Sequence, residues 1–166
     1  MLKLASSITA AALAVLAPAA AAQAIGPDAA ACNGGSERPA LLVNISGFKT
    51  AAGKLRVQLY PANGDFLAKG KWLRRIDLPV QGKAPMHVCI AVPRPGSYAV
   101  AVRHDTQANG SDWNDGGGFS RNPKLSLFHL KPSYRDVAIP VGNGVQSINV
   151  LLNYREGLSI GPAARG

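Results

Sequence analysis

The stretch Gly96-Ser97-Tyr98-Ala99-Val100-Ala101-Val102-Arg103-His104-Asp105 decides the fold. Tyr98, Val100 and Val102 share one parity; Ala99, Ala101 and Arg103 share the other. Successive side chains of an extended chain point to opposite faces, so this alternation gives a strand with one apolar face turned inward. A helix needs apolar residues three and four apart, and nothing after residue 25 sustains that spacing. Six further runs carry the same period. Leu41, Val43 and Ile45 alternate with Leu42, Asn44 and Ser46, and Leu55, Val57 and Leu59 with Lys54, Arg56 and Gln58. Trp72, Ile76 and Leu78 lie on one parity of a third run that Arg74 breaks. Met86, Val88, Ile90 and Val92 form another, Val137 and Ile139 a short one, and Ile148, Val150, Leu152 and Tyr154 the last. Seven short strands separated by Gly, Pro and Asn predict an all-β, antiparallel β-sandwich, each strand buried on one face and wet on the other.

Turn chemistry separates the runs. Pro95-Gly96 and Asn143-Gly144 are turn dipeptides, and residues 61–68 have room for one helical turn. The sandwich is expected over residues 40–155, after a Gly-, Pro- and Ala-rich flexible leader (23–39) and before a frayed tail (156–166). One connection is out of scale. His104 to Ser133 spans 30 residues with little strand pattern, and loops beyond about 15 residues in compact domains are usually functional or disordered. Trp113, Phe119, Leu125, Leu127, Phe128 and Leu130 are expected to anchor it by packing. This loop is the expected working surface.

The amino terminus reads as an address. Lys3 precedes an apolar, alanine-rich core from Leu4 to Leu16, and small residues stand before cleavage points after Ala22 or Ala24. This is the pattern of a secretory signal peptide over residues 1–22, so the protein is expected to be periplasmic or secreted, with no transmembrane segment after cleavage. Export changes the reading of the two cysteines. An oxidising compartment favours a Cys32–Cys89 disulfide. It would close a loop of roughly 56 residues, worth about 4 kcal/mol in the chain-entropy model. Two free thiols, one of them a metal ligand, are the alternative.

The 166 residues carry 18 Lys and Arg against 9 Asp and Glu, a formal charge of +9. Alternation places Lys54 with Arg56, and Lys71 with Arg75, on outward faces. Such a cationic sheet suits an anionic lipid or polysaccharide surface of the cell envelope, with an attraction that fades in salt. Nucleic acid is not expected: the chain is exported, and aromatics are only 6% of it, too few for a stacking platform.

Four segments resemble a bacterial family. Gly53-Lys54-Leu55-Arg56-Val57-Gln58-Leu59-Tyr60 is similar to its G-x-hydrophobic-R-V-x-L-Y strand, and Pro95–Asp105 to its PG-x-YA strand ending in HD. Asn109-Gly110 follows at the family's interval. Gly118-Phe119-Ser120-Arg121-Asn122-Pro123 resembles its GFSNN segment, with Arg121 where Asn is usual, and Ser133-Tyr134-Arg135-Asp136-Val137-Ala138 resembles its S-F-E-D-A segment. The family is DUF2141, and the resemblance covers about residues 40–155. It implies an exported immunoglobulin-like or transthyretin-like sandwich and brings no assigned activity.

Four constellations invite a chemical reading. Asp105, Gln107 and Asn109, with Gly110 at the sixth position, begin like a calcium loop, in which alternate oxygens converge on one ion. The bidentate Glu of the twelfth position is missing, since Gly116 stands there. The competing reading is an Asx turn, with Asp and Asn side chains bonding nearby backbone N–H groups. His104 beside Asp105 invites acid–base chemistry, but adjacent strand residues face opposite ways and form no dyad without a bulge. His87 and Cys89 share a face and suit copper, but a second His and an axial Met are lacking after Cys89. Tyr154-Arg155-Glu156-Gly157 resembles the end of the transthyretin-like hydroxyisourate hydrolases; Glu156 interrupts that match and the first strand lacks a catalytic His.

The sequence therefore points to an exported, non-enzymatic binding or accessory module of the envelope, with no metal and no cofactor. His104, Asp105, Asn109 and Asp112 are its candidate binding residues. The alternative is a metal-dependent or hydrolytic enzyme that uses the His104–Asp112 loop.

Overall fold

The computed structural model describes residues 23–33 and 37–163. The signal-peptide reading of residues 1–22 lies outside them. The described chain is an all-β sandwich of ten strands and two single-turn helices. Three strands form the small sheet: β1 (Ala40–Ser46) lies between β4 (Met86–Ala91) and β8 (Val145–Leu151). The large sheet runs β10 (Ser159–Pro162), β9 (Asn153–Glu156), β6 (Gly116–Phe119), β5 (Gly96–Asp105), β2 (Lys54–Pro61), β3 (Arg74–Pro79), and β7 (Ile139–Val141) also pairs with β5. Pairing between these strands is antiparallel except between β1 and β8, which run parallel with Val43 opposite Ile148.

The period-two residues build the core between the sheets. Leu41, Val43 and Ile45 of β1 meet Leu55, Val57 and Leu59 of β2 and Tyr98, Val100 and Val102 of β5 in one buried cluster. At roughly 1.5–3 kcal/mol for each fully buried aliphatic or aromatic side chain, this cluster dominates the stability. The run Ile148–Tyr154 keeps one parity inward while the chain changes sheets. Val150 and Leu152 reach the core from the small sheet's side and Tyr154 from β9, and the Leu152 N–H donates to the Ser46 carbonyl at the crossing.

The outer face of β5 is not wet as expected. Ala99 and Ala101 are buried there with Tyr60, Phe119 and Val137, because the connections at 62–73 and 120–138 fold back with Phe66, Leu67, Trp72 and Leu125. Trp72 therefore faces away from Ile76, since β3 begins only at Arg74. Val137 lies in a helix, α2 (Tyr134–Val137), rather than a strand. Ser133 caps it reciprocally with Asp136, satisfying backbone N–H groups at its start. Residues 61–68 make turns without a helix.

Both flanks lie against the sandwich where they are described. Residues 23–33 are docked rather than a flexible leader. Ile25 bridges to Val88, Asp28 pairs with Arg74 and accepts the Ala91 N–H, and Cys32 of α1 (Ala29–Cys32) is disulfide-bonded to Cys89. The tail is likewise no frayed end as far as Ala163. Glu156 and Ser159 open a hairpin that carries β10 along β9. Among the described residues no helix is long and apolar enough to cross a membrane.

Candidate functional site

The long connection divides at β6. Gly116 and Gly118 turn inward: a Cβ at Gly116 would strike the Tyr154 ring, and one at Gly118 would lie 2.7 Å from the Leu151 carbonyl oxygen. Glycine is what lets β6 slide under Tyr154 and β8. Gly117 faces outward, and a Cβ there would meet nothing within 4 Å. That open space belongs to a groove of about 520 Å³ over the outer face of the large sheet. Its floor holds Ala101, Gly117 and Arg103. Trp113, Leu125, Leu130 and Arg155 stand along it.

Arg103 is the polar feature of the floor. Its Nε is buried without a hydrogen-bond partner. Asp105 and Asp115 approach the guanidinium only to 3.9 Å, beyond hydrogen-bond range. Trp113 is 68% exposed, and the Arg155 guanidinium stacks 5.0 Å from its ring centre. The expectation that Trp113 packs as an anchor is corrected here, as are those for Phe128 and Leu130, which are also exposed; Phe119 and Leu125 do pack.

The sequence-derived site residues separate. His104 points into the core and is fully buried. Its Nε2 lies 2.8 Å from the Ala52 carbonyl oxygen and its Nδ1 2.7 Å from the Tyr154 hydroxyl. A carbonyl only accepts, so Nε2 carries a proton, and in that tautomer the Tyr154 hydroxyl donates to Nδ1. The same hydroxyl accepts the Lys49 N–H, which completes the chain of bonds.

Asp105 points the other way. Its carboxylate accepts the N–H groups of Asn109 at 3.2 Å and Gly110 at 2.9 Å. Burial alone would raise this carboxyl; those N–H groups and the Arg103 charge outweigh it and hold the pKa below the usual range. Asn109 donates from its amide to Gln107 and Asp112, while Asp112 accepts the Asn114 N–H. This is the Asx-turn arrangement, with the carboxylate oxygens of Asp105 directed at backbone donors rather than at a shared centre. Asp115 accepts from Thr106 and Asp112, and burial, with Asp105 and Asp112 nearby, pushes its carboxyl up. Among the described residues no three His, Cys, Asp or Glu side chains are grouped to hold a metal ion. His87 bonds Asn44 through Nδ1, and the Cys89 sulfur is taken by the disulfide.

The model of the family described as "Uncharacterized protein conserved in bacteria (DUF2141)" matches residues 43–149. The chain belongs to the DUF2141 family. Comparisons with curated proteins and with solved structures return no match.

Within this DUF2141 domain, Ser120 and Asn122 act as joints. β7 and β6 pair with the same edge of β5 on either side of Val100. In the gap, the Val100 N–H donates to Ser120 Oγ at 3.0 Å, and Ser120 Oγ donates to the Val137 carbonyl at 2.6 Å. The Asn122 amide does the same for β8, donating to the Asn149 carbonyl and accepting the Leu151 N–H. Sequence reasoning missed Arg103, Gly117 and Arg155 as groove residues. One signal was present: a glycine triplet beside an arginine-bearing strand marks a place where another group approaches the backbone closely.

Proposed function

We propose that this DUF2141 protein is an exported, non-enzymatic binding module of the cell envelope that holds a small amphipathic ligand in the groove over the outer face of its large sheet. The observation that carries the reading is the open space above Gly117 within a cavity of about 520 Å³. Ligand sites typically occupy about 300–1,000 Å³ and combine apolar walls with a few placed polar groups. Leu125, Leu130 and Trp113 supply the walls, and the part-exposed guanidinium of Arg103 supplies a positive charge and N–H donors. A carboxylate or sulfonate on an apolar body satisfies both. The disulfide fits an oxidising compartment.

Gly117→Leu tests this directly. The leucine enters space that is empty, so the fold is retained while the groove is filled. The probe is the anilinonaphthalene sulfonate dye, whose emission rises on entering an apolar site. Saturable binding to the parent protein and loss of at least tenfold in affinity in Gly117→Leu are expected. Equal binding by both proteins overturns the assignment. Recovery of the oxidised protein from the periplasmic or extracellular fraction tests the location.

A further inference from the structure

The segment between β6 and α2 presents a second surface. Phe128 is 93% exposed, the highest value among the large apolar side chains described. It is held there by a closed turn. The His129 N–H donates to the Ser126 carbonyl at 2.9 Å and the Ser126 N–H to the His129 carbonyl at 3.4 Å, so Leu127 and Phe128 occupy the tip. Leu130 follows, 39% exposed. Isolated exposed apolar residues are common, and the turn alone would carry no conclusion.

The surroundings of the turn supply the second observation. Arg121, Lys124, His129, Lys131 and Arg135 line a cavity of about 660 Å³, and Asp136 is the one acid on its wall. That carboxylate is engaged, accepting the Ser133 N–H at the start of α2. None of the ion pairs among the described residues uses Arg121, Lys124, Lys131 or Arg135. On the sheet, by contrast, Arg56 and Arg75 share Asp77, and Arg74 holds Asp28. A group of cations outside any of these ion pairs thus lies beside Phe128.

We propose that this turn and its cationic basin dock the protein on an anionic phospholipid surface. Phe128 and Leu127 enter the interfacial layer, and headgroup phosphates take the basin. Each Lys or Arg close to an anionic leaflet strengthens binding about fivefold, and the gain is lost as salt screens it. Exposed aromatic and aliphatic residues beside such cations supply the apolar contact that electrostatics alone lacks. The inference does not depend on the groove, which neither Phe128 nor Lys124 lines.

The test is co-sedimentation of the purified protein with vesicles of phosphatidylcholine, with and without phosphatidylglycerol, at low and high salt. Binding to the anionic vesicles at low salt is expected, with little to the neutral ones. Phe128→Ser should weaken it about tenfold with an unchanged melting curve, because the side chain is already in water. Phe128→Trp should restore binding and shift its emission to the blue on the vesicle. Lys124→Glu should also weaken binding. Equal affinity for neutral and anionic vesicles overturns the proposal, as does equal binding by the parent and Phe128→Ser. Salt-sensitive retention on an acidic polysaccharide that Phe128→Ser leaves intact, without vesicle binding, would assign the basin to polysaccharide instead and overturn it too.

Discussion

Tyr154 reaches across Gly116 to place its hydroxyl 2.7 Å from Nδ1 of His104, joining β9 to β5 over the intervening strand β6. Burial pushes the Tyr154 hydroxyl up to about 12, so it remains a donor across the physiological range. Tyr154→Phe strands Nδ1 of a fully buried ring and the Lys49 N–H together. A buried polar group left unpaired costs about 1–3 kcal/mol, and a loss of that size is expected in the urea midpoint at unchanged slope. Gly116→Ala should break the same bond by displacing the ring. The double variant should then lose less than the sum of the two; strict additivity would count against the shared cause.

Asp105 makes stability depend on acid in a defined direction. Its folded-state pKa lies below the ordinary value, so the carboxylate stabilises the fold fully above its unfolded pKa of about 3.9. That contribution is lost as pH falls through the folded pKa. Asp105→Asn should lower stability at neutral pH and flatten the acid limb of the stability curve. Asp115 has the opposite sign. Its raised pKa means that ionisation on approach to neutral pH weakens the fold, so Asp115→Asn should cost less at neutral pH than Asp105→Asn. Denaturant titrations of the three proteins between about pH 2 and 7 check the order.

The Cys32–Cys89 bridge spans a sequence separation of 57. Opening it should lower the stability by up to about 4 kcal/mol in the chain-entropy model. The segment also keeps Arg74–Asp28 and the Ile25–His87 backbone bond, so reduction should leave the sandwich folded. Midpoints of oxidised protein and of the Cys32→Ser/Cys89→Ser variant give the difference, and hydrogen exchange at Ile25 reports whether the segment stays docked. Equal midpoints would show that the bridge constrains nothing.

The strands built on β-branched and leucine alternation, β1, β2 and β5, were legible because one face of each meets the core and the period survives. β6 was not: Gly116-Gly117-Gly118 has no strand preference, and only the packing of Tyr154 and β8 against Gly116 and Gly118 shows why side chains are missing there. Of the contacts that dock residues 23–33, the Cys32–Cys89 bridge was legible from the cysteines, while Arg74 and Val88 were not, being more than forty positions from Asp28 and Ile25. The Asx turn at Asp105 was readable from spacing, being local. The groove was not, because Arg103, Trp113, Gly117, Leu130 and Arg155 come from five separate places along the chain. Apolar character alone could not tell Leu125, which packs, from Phe128, which stands in water.

Buried joints should be less forgiving than exposed loop residues of the same type. Ser120 is fully buried and bridges Val100 to Val137 through its hydroxyl. Ser120→Ala leaves the Val100 N–H and the Val137 carbonyl each without that partner, and a loss of about 1–3 kcal/mol is expected. Ser126→Ala, at the exposed turn, should stay within about 0.5 kcal/mol of the parent. Comparable losses at the two positions, measured by thermal melting, would deny Ser120 its role as a joint.

Arg121 offers a test in the stabilising direction. It stands at φ 64°, followed by Asn122 at φ 47°, so two successive residues occupy the left-handed region. An ordinary L-residue there costs roughly 1–2 kcal/mol because its Cβ crowds the following carbonyl, while Asn is several-fold enriched in that region. The related GFSNN pattern carries Asn where this chain has Arg121. The Arg121 side chain is exposed, and its one hydrogen bond, to the Arg135 carbonyl, is long at 3.4 Å, so little is lost on replacing it. Arg121→Asn should therefore raise stability by about 0.5–1 kcal/mol, read as a higher urea midpoint at unchanged slope. It should do so while weakening adhesion to anionic vesicles, because a cation leaves the basin. A variant that melts earlier than the parent would show that the arginine side chain holds the turn more firmly than its backbone strains it.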